Sequence, residues 1–315
     1  MVVLCSSRSE SESASTDASE GARSEDDRRV SRTPTRGRSP LVRRVDRQVL
    51  GPLSASAIGR IARRLGIADV LRSVRERLLL ALTADELTLA VGGTTLRFGV
   101  ANEFEYEQFE RVRTDPDRAV LTTFTERVRP DDVLWDVGAN VGVFSCFGAA
   151  NGLRAVAVEP NPANVDRIRE NLARNGLEAS VVRSALSDYS GRSRLRTSIG
   201  PPDGAGAFGY LADTADGDGV PVRVTTATAL VEEEGLALPT VLKIDVEGEE
   251  LSVLRGFGDA LADCRLVYCN VYEKHFETGT EGRAVRELLE GHGLSVARIG
   301  DWQGGYFLRA HRGEE

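Results

Sequence analysis

The chain has 315 residues, of which 41% are hydrophobic and 28% charged, with a net charge of −8. These values suit one large domain or two small ones, and they exclude collagen-like, coiled-coil and wholly disordered classes. No run of about 18 apolar residues occurs, so no membrane-spanning helix is expected. The stretch Met1-Val-Val-Leu-Cys5 is too short an apolar segment for a signal peptide. Cys5, Cys146, Cys264 and Cys269 form no C-x-x-C pair, and there are only three histidines. Neither a zinc site nor a disulfide framework is expected, and a reduced cytoplasmic setting is the default. The acidic balance disfavours a nucleic-acid partner.

Residues 1–40 are rich in Ser, Arg and acids without hydrophobic periodicity, which predicts a disordered tail. Residues 41–82 place Val42, Val45 and Val49, then Ile58, Ile61 and Leu65, at helical spacing. Their nine arginines face three acids, so this segment carries +6 and leaves −14 elsewhere. A basic amphipathic segment can lie on the anionic inner face of a membrane, a peripheral contact. The favoured expectation is a helical lead-in that docks on the catalytic body, because charge runs are usually solvated faces. Residues 85–100 alternate around Gly92-Gly93 and read as a hairpin. Helical stretches around Phe104–Val112 and Val120–Val128 follow. The expected division is a tail (1–40), a lead-in with hairpin (41–118) and a main domain (119–315).

From residue 132 strands and helices alternate. Strands are expected at 133–137, 155–158, near 180–186, 241–245 and 265–272. Helices are expected at 141–150, from Asn161-Pro162 to Gly176, at 249–262 and at 283–291. Residues 192–226 are expected to hold two short strands around a Gly/Pro/Asp-rich loop, the best candidate for an acceptor lid. Two final strands, near 294–299 and 305–310, have no helix between them and form an antiparallel hairpin. This rhythm specifies an α/β, doubly wound, mostly parallel sheet with helices on both faces.

Ligands of such sheets bind beyond the carboxyl ends of the strands. There the first strand runs into Asp136-Val-Gly138-Ala-Asn140-Val-Gly142. Glycines allow a tight turn and close ligand approach. Asp136 puts an anion where a dinucleotide would bring phosphate, and the G-x-G-x-x-G spacing is missing. Glu159 closes the next strand, placed to accept both hydroxyls of a ribose. An acid at each of two successive strand ends suits S-adenosyl-L-methionine better than a nicotinamide dinucleotide. The competing reading is a solvated turn with a capping acid.

These stretches resemble the FkbM-type family of Rossmann-like class I methyltransferases. Asp136–Gly142, Glu159-Pro-Asn-Pro162 with Asn171 and Asn175, Ala185-Leu-Ser-Asp188 with Gly191, and Lys243-Ile-Asp-Val-Glu-Gly248 with Glu250, Val253, Leu254 and Gly256 carry the resemblance, over about residues 120–310. It implies a seven-stranded sheet and S-adenosylmethionine-dependent O-methylation, often of sugar or polyketide hydroxyls. It implies that the loop at Asp136–Gly142 holds the methionine part, that Glu159 holds the ribose and that Ser184–Ser187 lie near the adenine. The candidate cofactor-binding set is therefore Asp136, Gly138, Asn140, Gly142, Glu159, Asn161, Ser184 and Ala185. Members often carry an acid and a histidine where this chain has Asn270 and Tyr272, and an aspartate where it has Thr228, which implies either an altered acceptor or a loss of activity.

A hydroxyl acceptor needs a base or a metal to take its proton. Alternation along an extended strand puts Lys243, Asp245 and Glu247 on one side. Asp245 or Glu247 is the candidate base, with Lys243 orienting the pair. The competing reading makes Lys243–Asp245 a structural ion pair and Glu247 a helix cap. A metal-assisted version would draw a divalent ion such as magnesium to Asp245, Glu247, Asn270 and Glu273. His275 is a further candidate acid or base, and Cys146 is expected to be buried and inert. The rival functions are a nucleic-acid (tRNA) methyltransferase and a non-catalytic coenzyme-binding module. The motif that grips a base amine is absent, and Ile244-Asp-Val-Glu-Gly248 stands in its place.

Overall fold

The computed structural model describes residues 86–114, 116–200, 204–212, 217–272, 282–302 and 304–313. The expectations for residues 1–40 and 41–82, and for Cys5, Glu273, Lys274 and His275, lie outside them.

Strands β1 (Glu86–Val91) and β2 (Thr94–Gly99) form the expected hairpin. Helix α1 (Glu103–Val112) begins at Asn102, whose side chain accepts from the Glu105 N–H. Helix α2 (Asp117–Arg127) follows across Pro116. The hairpin leans on the body: Phe98 lies 5.0 Å from the Phe109 ring and 6.4 Å from the Phe147 ring. The expected division at 118/119 therefore falls inside α2 and separates elements that pack together.

The central sheet has seven strands. In chain order they are β3 (Val133–Val137), β4 (Arg154–Val158), β5 (Ser180–Val182), β10 (Val241–Ile244), β11 (Leu266–Tyr272), β12 (Ser295–Trp302) and β13 (Gly305–His311). Their spatial order is β12-β13-β11-β10-β3-β4-β5. The pairs from β11 to β5 are parallel, and β13 runs antiparallel to both β11 and β12. The inner strands β3, β10 and β11 are buried along their whole length, as strands covered on both faces must be. Val133, Trp135 and Val137 face one layer, built from α5 (Ala227–Glu234), α6 (Glu250–Phe257) and α7 (Gly282–Gly291). Trp135 meets Phe257 there edge to face at 5.5 Å. The alternate residues Leu134 and Asp136 face α3 (Val143–Ala150), and α4 (Pro162–Arg174) packs on β5.

Three expectations need correction. The single strand near 180–186 is two: β5 stays in the central sheet, and β6 (Ala185–Leu186) leaves it. Residues 191–225 hold three strands, β7 (Gly191–Ile199), β8 (Phe208–Leu211) and β9 (Val220–Thr225). With β6 they make a second sheet of order β6-β9-β7-β8. The helix expected over 249–262 also ends early, continuing from Gly258 to Ala262 as a 3₁₀ turn.

Candidate active site

A cleft with about 1300 Å³ of non-atom space, counting the part open to solvent, lies at the carboxyl ends of β3, β4 and β10. The β3 strand turns into α3 through Gly138, at φ +72, and Asn140, at φ +50. A Cβ on residue 138 would stand 2.2 Å from the Asp245 carbonyl oxygen, so only glycine lets this loop cross β10. Asn140 lines the cleft, and its Oδ1 is buried with no hydrogen-bond partner among the described residues. An orphaned acceptor of this kind suits a bound ligand that brings a donor.

Glu159 ends β4 and is 5% exposed. Its carboxylate accepts from the Asn140 N–H at 2.8 Å, the Asn161 N–H at 2.9 Å and the Asn164 amide at 3.3 Å. Burial pushes its carboxyl above the usual glutamate range, and those three donors pull it part of the way back. Ser184 and Ala185 line the same end of the cleft. Asn161 caps α4 by accepting from the Ala163 N–H and is not a lining residue. Gly142 is the N-cap of α3 and does not line the cleft either.

Asp136 departs from the sequence reading. It is fully buried beneath the loop; its Oδ2 accepts from the Ser145 N–H and hydroxyl, at 2.9 and 2.6 Å. Its Oδ1 lies 3.0 Å from the Lys243 Nζ. The expected free negative charge is thus neutralised inside the protein, because β10 lays Lys243 directly beside Asp136 in the parallel register. Lys243 also donates to the Gly138 carbonyl at 2.9 Å and sits 3.9 Å from Asp245. The lysine is therefore first a partner of Asp136 and only distantly of Asp245.

Lys243, Asp245 and Glu247 do line one cleft, but so do Ile244 and Val246, because β10 ends at Ile244 and the alternation expected of a strand does not continue. The Asp245 Oδ1 accepts from the Asn270 amide at 2.9 Å and the Tyr272 hydroxyl at 3.0 Å. Trp302 donates to the Asn270 Oδ1 at 2.9 Å and packs edge to face on Tyr272. These side chains fix the orientation of Asp245. Burial and the neighbouring Asp245 raise the Tyr272 phenol well above the usual tyrosine range, which keeps it a donor. Glu247 accepts from the Ser198 hydroxyl at 2.6 Å. It is not a helix cap: α6 starts from Glu249, which makes no side-chain cap bond. Among the described residues no three His, Cys, Asp or Glu side chains gather as a metal site.

Arg111, Asp117, Phe208 and Tyr210 complete the cleft and were missed in the sequence. Arg111 and Asp117 sit on two helices read only for their apolar faces, although their six-residue separation across Pro116 was visible. Phe208 and Tyr210 come from β8, so the expected lid segment does reach the cleft. Its loop is held by the Asn102, Asn161 and Asn164 amides, which donate to the Ala205, Gly204 and Ala207 carbonyls. Cys146 is buried, and burial with the nearby Asp136 pushes its thiol up to about 12, leaving it inert.

This strand order, with its antiparallel terminal hairpin and a cleft over the middle strand ends, defines a class I methyltransferase. The chain belongs to the FkbM methyltransferase family: the model described as Methyltransferase FkbM domain matches residues 136–296. It is 31% identical over 206 residues to the hexuronic acid methyltransferase AglP of Haloferax volcanii, covering 65% of this chain and 80% of that protein. It is 33% identical over 208 residues to the 31-O-demethyl-FK506 methyltransferase FkbM of Streptomyces tacrolimicus, covering 57% and 78%. A solved SAM-dependent methyltransferase from Agrobacterium tumefaciens aligns over 72% of this chain and 70% of its own, at 12% identity and a TM-score of 0.43. Among the described residues no helix is long and apolar enough to cross a membrane.

Proposed function

We propose that this chain transfers a methyl group from S-adenosylmethionine to a hydroxyl of a sugar, glycan or small metabolite. The observation that carries this reading is the shared cleft: Glu159 and Asn140 stand at one end, Asp245 and Glu247 at the other. The named activities of the two relatives, on a hexuronic acid and on 31-O-demethyl-FK506, support this range of acceptors. Glu159 would hold the ribose hydroxyls, the Gly138–Asn140 backbone the methionine part, and Ser184 with Ala185 the adenine. When bound, this coenzyme supplies an electrophilic methyl group on a sulfonium.

The protein's own work is then alignment and proton removal. Asp245 or Glu247 takes the acceptor proton as the hydroxyl attacks. Asn270 and Tyr272 keep Asp245 aimed at the cleft, while Lys243, held by Asp136, balances its charge. Phe208 and Tyr210 cover the acceptor side and keep water from the reacting hydroxyl. No metal is required by this scheme.

Titration calorimetry with S-adenosylhomocysteine tests the coenzyme assignment. Wild type should bind, and Glu159→Ala should abolish binding. Glu247→Ala should retain binding while turnover falls by roughly 10²–10⁴. Methyl gain on a panel of glycans, followed by mass spectrometry, reports turnover. Normal turnover in Glu247→Ala moves the base to Asp245, which Asp245→Asn checks in the same assay.

A further inference from the structure

The cleft is lined by five acids, Asp117, Glu159, Asp245, Glu247 and Glu249, and by only two cations, Lys243 and Arg111, among the described residues. The two cations are used differently. Lys243 is 7% exposed and spends itself on Asp136, the Gly138 carbonyl and Asp245. Arg111 keeps 42% of its side chain exposed. Its Nε donates to Asp117 at 3.3 Å, and its guanidinium carbon lies 5.5 Å from the centre of the Phe208 ring. Nothing else among the described residues takes a hydrogen bond from its side chain, so both terminal Nη groups remain available. Arg111 lines the cleft together with Asp245, Asn270 and Phe208.

A guanidinium anchored at Nε and backed by an aromatic ring is pre-organised to offer its two Nη groups as a fork. The natural complement is a carboxylate, held by two parallel charge-assisted bonds. A neutral polyol would find enough acceptors in the five acids and would gain little from this cation. An amine would be drawn to the acids and would leave this cation without a partner. Resting on the transferase reading above, we propose that the acceptor carries a carboxylate and that Arg111 is the residue that selects it. A sugar acid is the chemical class that joins such a group to several hydroxyls.

The test uses two probes that differ only at this group, 4-nitrophenyl glucuronide and 4-nitrophenyl glucoside. Each is titrated into the full-length protein saturated with S-adenosylhomocysteine. Wild type should bind the glucuronide about tenfold or more tighter than the glucoside, the worth of a charged hydrogen bond. Arg111→Gln should erase that preference, and Arg111→Lys should restore part of it. The affinity for S-adenosylhomocysteine should stay the same in both variants. Equal binding of the two probes by wild type, or binding of neither, overturns the proposal without needing any variant. Weaker S-adenosylhomocysteine binding in Arg111→Gln also overturns it, since the guanidinium would then serve the coenzyme's carboxylate. Failure of wild type to bind S-adenosylhomocysteine at all would instead remove the transferase reading beneath it.

Discussion

Lys243 and Asp136 stand opposite each other where β10 and β3 pair, with 3.0 Å between Nζ and Oδ1 and both side chains nearly closed to water. The pair joins the middle of the sheet to the coenzyme loop, because the same Nζ holds the Gly138 carbonyl. Removing one partner would strand the other as a buried charge. Lys243→Met should therefore destabilise the fold by about 3 kcal/mol at neutral pH. Burial disfavours the charged amine, but Asp136 and Asp245 outweigh it and raise its pKa above the usual lysine value. The contribution is thus complete below that usual value and fades as pH climbs through the raised one. Denaturant unfolding of both proteins at neutral and strongly alkaline pH checks this; a difference that grew with pH would contradict it.

At the opposite end of the sheet, Asp132 gives the acid-side counterpart. Burial would raise its pKa, but hydrogen bonds from Arg265, the Arg129 N–H and Thr240 overcome that and lower it. A depressed carboxyl stabilises above its unfolded pKa, and the gain is lost as pH falls through the folded value. Asp132→Asn should cost roughly 2 kcal/mol at pH 7. The gap between variant and wild type should close in acid. Urea midpoints measured down a pH series would show it, and a gap constant with pH would refute it.

The β3 loop has no room for a side chain at residue 138. Gly138→Ala must combine a φ of +72 with a Cβ 2.2 Å from the Asp245 carbonyl. The strain alone is about 1–2 kcal/mol, and the clash pushes the loop off β10. Gly176→Ala is the control, since its φ is +64 and no atom lies within 4 Å of the added Cβ. We expect Gly138→Ala to lose both stability and S-adenosylhomocysteine affinity, and Gly176→Ala to lose only about 1 kcal/mol of stability. Calorimetric binding and thermal melts on the two variants decide the matter.

Phe208 and Tyr210 line the cleft from β8, and the Phe208 ring centre lies 5.5 Å from the Arg111 guanidinium carbon. Replacing both with Ala should raise the acceptor KM by about tenfold or more and leave S-adenosylhomocysteine affinity within about twofold. The reverse pattern would take the acceptor wall away from β8.

Most of the order of strands and helices from residue 132 was legible because the inner strands are largely apolar, although α5 was not read at all. Asn161-Pro162 and Gly176 bracket α4 in the sequence as they do in space. The second sheet was not legible. Its β6 is two residues long, too short for a period, and its partner β9 lies nearly forty positions away. The sequence showed that Asp136, Glu159 and Asp245 lie at or beside strand ends, but not which charges remain free there. Asp136 looked like a ligand group because its neutralising partner lies on β10, and only the register between the two strands brings Lys243 to it. Arg111 went unseen for a related reason: its neighbour Phe208 comes from a segment read mainly as loop.

The β6-β9-β7-β8 ladder is hydrogen-bonded within itself and borrows no strand from the seven that bear Glu159 and Asp245. Its two edge strands both reach the cleft, β8 through Phe208 and Tyr210 and β6 through Ala185 and Leu186. Sequence change on β8 can therefore reshape one wall of the cleft without unpicking any strand of the central sheet.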